Sequence, residues 1–500
     1  MADLKIDESL VRGVLEDVLR RLGDVPAPTA SSAPASAPVA KPVAKDGSAP
    51  CDCRAAAKPY GVFDCADCAA EAAHEAFLKL KKLGVEGRSK VIRIVKELCV
   101  ANAVPWGTFE LEETKIGRLD HKIEKLQIIS GVPGVEWLRP DAMSGDGGIT
   151  LEEYAPYGVV GAILPVTHSV PTLSGNIVNM VAAGNAIVFN PHPGGARSAA
   201  LAVRAYNEAI EREIGISNLI CTVEKPTLES FNELCKSPHI GLLAITGGPA
   251  VVKAAMSSGK RAICAGPGNP PVVIDETADV EKAARDIVKG AAYDNNLLCI
   301  GEKQVFVVDS VFDRFITALK ASAAHQLDDN QLAKLTAAAF TMKPDAGGCS
   351  HPVLNRDLVG RDPAVLAQHA GANIPAGTQL LFAVTPADHP FVYEEQMMPM
   401  LPIVRVRTFE EGVEAARVSE HGYRHSAIIH SRNVDHMTYM ARELDTTIFV
   451  KNGPCVAGLG LGGEGYLSYS IATTTGEGIT TPKTFTRIRR CVMVENLRII

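Results

Sequence analysis

Aromatic residues are scarce: only 5% of the 500 positions are Phe, Trp or Tyr. That excludes the stacked aromatic platforms on which single-stranded nucleic acids are held. Excess positive charge is missing as well. The formal net charge is −7, which gives no general attraction to a phosphate backbone or an anionic membrane surface. No stretch approaches the roughly 18 continuous apolar residues that a membrane-crossing helix needs. The N-terminus carries Asp3, Asp7 and Glu8 in place of the basic start and apolar run of an export signal. Twelve cysteines are too sparse for a disulfide framework and read as reduced thiols of a cytoplasmic protein. The expectation is a protein with no nucleic-acid partner and no membrane partner.

What is present is a soluble, globular composition, 46% hydrophobic and 21% charged, in a chain long enough for two or three domains. The first 23 residues stand apart. Ile6, Leu10, Val11, Val14, Leu15, Val18, Leu19 and Leu22 recur at helical spacing among charged residues, which predicts an amphipathic helix. Asp7 suits its start and Gly23 its end. A helix this short is marginal alone, so its apolar stripe calls for a partner. Residues 24–58 follow as a Pro/Ala-rich linker, too poor in apolar bulk to fold. A short helix on such a tether reads as a docking device; packing back onto its own domain or a sister subunit is the other reading.

From Tyr60 onward, β-rich runs alternate with helical patterns. Strands are predicted at 158–164, 186–190, 242–246, 271–274 and 305–308. Helices are predicted at 68–83, 88–102, 172–183, 195–213, 249–258 and 279–292. Such alternation predicts an α/β fold with parallel sheets.

Within that frame Cys299 stands out. A polar Asp294-Asn295-Asn296 turn carries it from a helix to a strand beginning near Gln304, beside Gly301. Loop residues are not committed to core packing, and a thiolate is both a strong nucleophile and a good leaving group. A buried, inert cysteine is the plain alternative. Thr246-Gly247-Gly248-Pro249 closes a strand and opens a helix, a turn whose free N–H groups suit a pyrophosphate. Asn190 and His192 stand just beyond another strand, where ligands of parallel sheets collect. Glu394-Glu395 pairs two carboxylates before a Met-Met-Pro run, suited to acid–base work or to holding ribose hydroxyls. Gly458–Gly463 spells G-x-G-x-x-G, but no helix pattern follows and the dinucleotide mechanism requires one. Cys51, Cys53, Cys65 and Cys68 do not match common zinc spacings, so no metal is expected.

In this order, Ala183–Pro193, Ile245–Pro249, Ala265–Asp275, Asn295–Cys299, Glu395 with its Met-Met-Pro sequel and Gly458–Gly465 resemble the aldehyde dehydrogenase superfamily over residues 60–500. The resemblance is greatest to the CoA-acylating branch, the propionaldehyde and acetaldehyde dehydrogenases of bacterial microcompartments. It implies a Rossmann-like NAD-binding domain over 59–290, with 455–478 returning to it, and a catalytic α/β domain over 291–454. A small β oligomerisation element would use 148–158 and 479–500, making a homo-oligomer. Cys299 matches the nucleophile, Thr246, Gly247 and Gly248 the pyrophosphate turn, and Glu395 the carboxylate on the nicotinamide ribose. Asn190 and His192 lie where the adenosine ribose is held. The N-terminal helix resembles encapsulation peptides, which implies shell or cargo partners through residues 4–22 and a place inside a microcompartment.

Two departures from hydrolytic members bear on the reaction. They keep a general-base Glu where this chain has Ile263-Cys264-Ala265-Gly266, and an oxyanion Asn where it has Pro165–Pro171 without one. The first favours a thiol, CoA, over water as the deacylating nucleophile. The second leaves the Cys299 N–H, with Ser169 or Thr167, to hold the oxyanion. The expected reaction is NAD-dependent oxidation of a short-chain aldehyde, propionaldehyde foremost, to acyl-CoA. A hydrolytic dehydrogenase and a non-catalytic assembly component are the alternatives.

Overall fold

A computed structural model describes residues 60–344 and 350–499; the expected helix and linker of residues 1–58 lie outside them. All that follows concerns the compact unit Asp52–Ile500. Its first sheet has six parallel strands in the order Val62–Phe63, Ile220–Val223, Ala186–Pro191, Val159–Leu164, Ile240–Thr246 and Ala262–Ala265. The central strands are buried along their whole length, so they read as unbroken apolar runs, as strands covered on both faces do. The two helices expected at 68–83 and 88–102 form one span, Ala66–Ala101, interrupted at Gly84 with φ 63°.

The second sheet has seven parallel strands: Ala324–Gln326, Leu380–Val384, Met400–Val406, Gln304–Val308, Pro271–Ile274, Ser426–His430 and Ile448–Lys451. Pro271–Ile274 lies inside it, paired on both sides. The chain therefore leaves the first sheet at 266–270, earlier than the boundary expected at 290. The Pro-Gly-Asn-Pro-Pro run at 267–271 is the physical break, because proline cannot supply the N–H that would extend a ladder. The expected return at 455–478 is split between the sheets. Cys455 N–H donates to Glu302 beside the second sheet. Thr475 and Ser470 bond Cys264 and Thr246 of the first.

A third, antiparallel sheet joins Asp141–Gly145, Gly148–Pro156 and Thr486–Val494. It uses the segments expected for an oligomerisation element and leaves Ile488, Val492, Met493 and Val494 each more than half exposed.

The loop before Cys299 is strained. Asp294, Asn295 and Asn296 all have positive φ, at 50°, 55° and 64°. Asn and Asp tolerate this region best, yet each residue there still costs on the order of 1–3 kcal/mol and persists only where its surroundings over-determine it. Here they do. Asp294 accepts from Lys125 Nζ at 2.5 Å and from the Arg118 N–H at 2.8 Å, and its own N–H donates to His121. A Cβ on Gly117 would fall 2.3 Å from the Asp294 carboxylate, so only glycine fits beside it. Asn295 donates to the Gly360 carbonyl and to Asp362, and Asn296 to the carbonyls of Ala291 and Glu302. Lys125 and Asp294 are both fully buried. Removing one partner of such a pair strands the other charge, at about 3–5 kcal/mol. Lys125→Met is expected to lose that much stability in denaturant titration, and Lys125→Met/Asp294→Asn to recover part of it. Additive losses would mean the pair is not coupled.

Candidate active site

Cys299 sits at the end of this turn, partly exposed, with its own N–H and that of Ile300 directed at the sulfur. Three segments converge on it, each a few residues before a strand of the second sheet. Gly268 precedes Pro271–Ile274, Glu395 precedes Met400–Val406, and His425 precedes Ser426–His430. A Cβ on Gly268 would lie 2.7 Å from the Cys299 carbonyl and 2.8 Å from the His425 ring; glycine lets the backbone pass between them. The Gly268 N–H bonds the Glu395 carboxylate. Asn269, fully buried, donates to the carbonyls of Val392, Tyr393 and Ser419 and so clamps the three segments together.

The residues expected to bind a nucleotide lie beyond the carboxyl ends of the first sheet. Thr246 ends Ile240–Thr246, its hydroxyl 3.0 Å from that of Ser470. Gly248 caps the helix Pro249–Met256, and neither it nor Gly247 has a close neighbour where a side chain would stand. That leaves an open helix N-terminus, a ready anion site. His192 is exposed, and its Nδ1 accepts the Gly194 N–H. Asn190 differs from expectation in posture. It is buried, its oxygen accepting from Ser230 at 2.6 Å and its amide donating to the Thr227 carbonyl at 3.4 Å, so a ligand would have to share those bonds.

One short segment joins the two halves. Gly247 N–H donates to the Ala265 carbonyl at 3.3 Å, and three residues later Gly268 touches Cys299. Three residues span at most about 11 Å, so the anion turn and the Cys299 loop are near neighbours. Glu394, half-buried, is raised by burial and has no bond to Cys299. A surface cleft at the second-sheet edge around His325 and Gly377 contains none of these residues.

Burial sets the electrostatics. It pushes the Cys299 thiol up to about 12, and Glu395 adds to the effect, while Lys303 and the two N–H groups oppose it. Burial pushes Glu395 up to about 7, against Lys303 and the Gly268 N–H. It takes His425 down to about 4, with Lys303 reinforcing it. Lys303 and His425 were not singled out from sequence; only the tertiary convergence reveals them. Ser169 donates to the Gly195 carbonyl, which engages one of the two hydroxyls, Ser169 or Thr167, expected as a second oxyanion donor, whereas the Ile300 N–H was missed. Cys264 is fully buried and raised to about 11 by burial, with Glu477 adding to it. The carboxylate that is absent from 263–266 in sequence is thus approached in space by Glu477, whose Oε2 has no hydrogen-bond partner among the described residues.

Gly458–Gly463 follows the 3₁₀ turn Cys455–Leu459 and opens no helix, with Gly460 and Gly462 at φ 82° and 81°. Cys65 caps the helix Ala66–Ala101 and Cys68 lies in its first turn as free thiols; Cys51 and Cys53 fall outside the described residues.

The family model for "Aldehyde dehydrogenase family" matches residues 54–465. The chain belongs to the aldehyde dehydrogenase family. It is 45% identical over 442 residues to "Acetaldehyde dehydrogenase (acetylating) EutE" of Salmonella typhimurium, covering 88% of this chain and 94% of that one. A propionaldehyde dehydrogenase of Rhodopseudomonas palustris, solved with bound CoA and an acylated cysteine, superposes with a TM-score of 0.84 at 42% identity, covering 89% of this chain and 100% of that one. Another, from the fucose utilisation microcompartment of Clostridium phytofermentans, gives 0.85 at 43%, covering 88% and 100%. The two parallel sheets are those of an aldehyde dehydrogenase fold, and the α/β expectation holds.

In an aldehyde dehydrogenase with so raised a thiol, reactivity follows the thiolate fraction. Because the folded value lies above the assay range, alkylation of Cys299 by iodoacetamide should rise about tenfold per pH unit from pH 7 to 10. A plateau below pH 8, read by peptide mass mapping, would show the opposite shift.

Proposed function

We propose that the protein oxidises a short-chain aldehyde to its acyl-CoA through a thioester on Cys299. The observation that carries this is the convergence of a thiol met by two N–H groups and a carboxylate, with an open anion turn one short segment away. Cys299, as thiolate, attacks the aldehyde carbon, and the N–H groups of Cys299 and Ile300 receive the developing oxyanion. NAD⁺, when bound, accepts the hydride that leaves this carbon. Thr246, Gly247 and Gly248 would hold its pyrophosphate, Glu395 its nicotinamide ribose, and His192 with the backbone at Asn190 its adenosine ribose. CoA thiolate then displaces Cys299 from the acyl group. Covalent catalysis thereby splits one difficult step into two. The R. palustris enzyme with an acylated cysteine supports the intermediate, and both structural relatives support propionaldehyde as the substrate.

Hydrolysis is the second reading, and Glu477 is the observation that favours it. Rapid mixing separates the two. Without CoA, NADH should appear as a burst near one per active subunit and then slowly; CoA should restore turnover and yield acyl-CoA equal to NADH. Linear NADH production and free acid without CoA, lost in Glu477→Gln, would establish the hydrolytic reaction.

The finer placement belongs to the same proposal. The exposed apolar strand Thr486–Val494 suits a second copy of the chain, and the stripe of residues 4–22 suits a shell or cargo protein of a microcompartment. The microcompartment origin of the C. phytofermentans relative supports this. Deleting residues 1–22 is expected to leave specific activity and oligomer size unchanged while abolishing co-purification with shell proteins. Loss of activity on deletion would make the helix part of the enzyme instead.

A further inference from the structure

Lys303 is fully buried, four residues beyond Cys299, and it ties the Cys299 turn to the Gly268 and Glu395 segments. Its ammonium donates to the Asn296 carbonyl at 2.8 Å, to the Leu298 carbonyl at 3.1 Å and to the Asn296 side-chain oxygen. Its N–H donates to the Pro270 carbonyl at 3.0 Å, on the Gly268 segment. Its carbonyl accepts from Gln396 at 3.1 Å, on the Glu395 segment. The ionisable groups that face it are Cys299, Glu395, Glu302, Cys455 and His425. Burial lowers the Lys303 ammonium from its ordinary value, and Glu395, Cys299, Cys455 and Glu302 oppose that shift; as a cation it favours the deprotonated form of each neighbour: thiolate, carboxylate and neutral imidazole. It also compensates a thiolate that burial would otherwise forbid.

We propose that Lys303 is a positioning residue of this reaction: its buried ammonium, held in place by the oxygens of Asn296 and Leu298, supplies the counter-charge of the Cys299 thiolate. The proposal rests on Cys299 as the nucleophile, which loss of acylation in Cys299→Ala tests separately.

A purely structural staple and a counter-charge predict opposite signs. Losing a staple loosens the loop, exposes the thiol and speeds its alkylation. Losing a counter-charge at this range raises the thiol by one or more pKa units, so alkylation slows about tenfold or more. Iodoacetamide labelling of Cys299 at pH 8, mapped by mass spectrometry, is therefore expected to slow at least tenfold in Lys303→Met. It should stay within about threefold of the parent in Lys303→Arg, which keeps the charge. Since Lys303→Met strands the Glu395 carboxylate, the comparison is repeated as Lys303→Met/Glu395→Gln against Glu395→Gln, where the same slowing is expected. Unchanged or faster labelling in either charge-removing variant overturns the proposal. So does a tenfold loss in Lys303→Arg, whether or not the other variants fold.

Discussion

Three successive side-chain-bearing residues in left-handed backbone are the constraint on which the site depends. Nothing local to Asp294, Asn295 and Asn296 favours that conformation over an ordinary turn. It is held because each side chain finds buried partners supplied from elsewhere: Lys125 and Arg118 from one region, Gly360 and Asp362 from another, Ala291 and Glu302 from the flanking elements. The thiol is thus presented by a loop with the rigidity of a core. Such pre-organisation matters because small errors in the placement of a nucleophile are costly in rate.

The two sheets contribute opposite ends. The first offers the carboxyl ends of its strands, where free N–H groups gather at Gly247 and Gly248. The second offers the amino ends of its strands, preceded by Gly268, Cys299, Glu395 and His425. The crossing at 266–270 makes this arrangement obligatory, since it leaves one carboxyl end and enters the other sheet at an amino end. The bonds made by Asn269 and Gln304 to the Ser419 turn then fix the crossing in place. One five-residue segment brings the anion turn close to the loop that carries the thiol.

Much of this was readable in the sequence. Strand–helix alternation gave the parallel sheets, and the helix–turn–strand setting of Cys299 singled out the nucleophile candidate. The missing helix after Gly463 was enough to reject a tempting dinucleotide motif. What escaped reading depends on contacts distant along the chain. The domain crossing was placed at 290 by the family resemblance, and in sequence the strand Pro271–Ile274 looks like any other. Only its pairing with Gln304–Val308 and Ser426–His430 assigns it to the second sheet. Asn190 was read as able to face a ligand because of its place at a strand end; its bonds to Thr227 and Ser230 come from 37 and 40 residues away. Lys303 was not singled out, because nothing in the local pattern marks it or Glu302 as buried.

Burial poses the chemical problem that the site must solve. A hydride transfer gains from a dry cleft, where oriented dipoles act at full strength. The same dryness holds Cys299 protonated and Glu395 near neutrality, the unreactive form of the thiol. Opening the cleft would restore the thiolate but admit water to a thioester. A positive charge inside the protein eases the conflict without solvent, and its hydrogen bonds to backbone carbonyls satisfy it when the thiol is neutral. That dual satisfaction separates Lys303 from a simple ion pair, whose charge would be stranded whenever its partner took a proton. The thiol can therefore pass between its protonated, ionised and acylated states while the loop that carries it stays in one place.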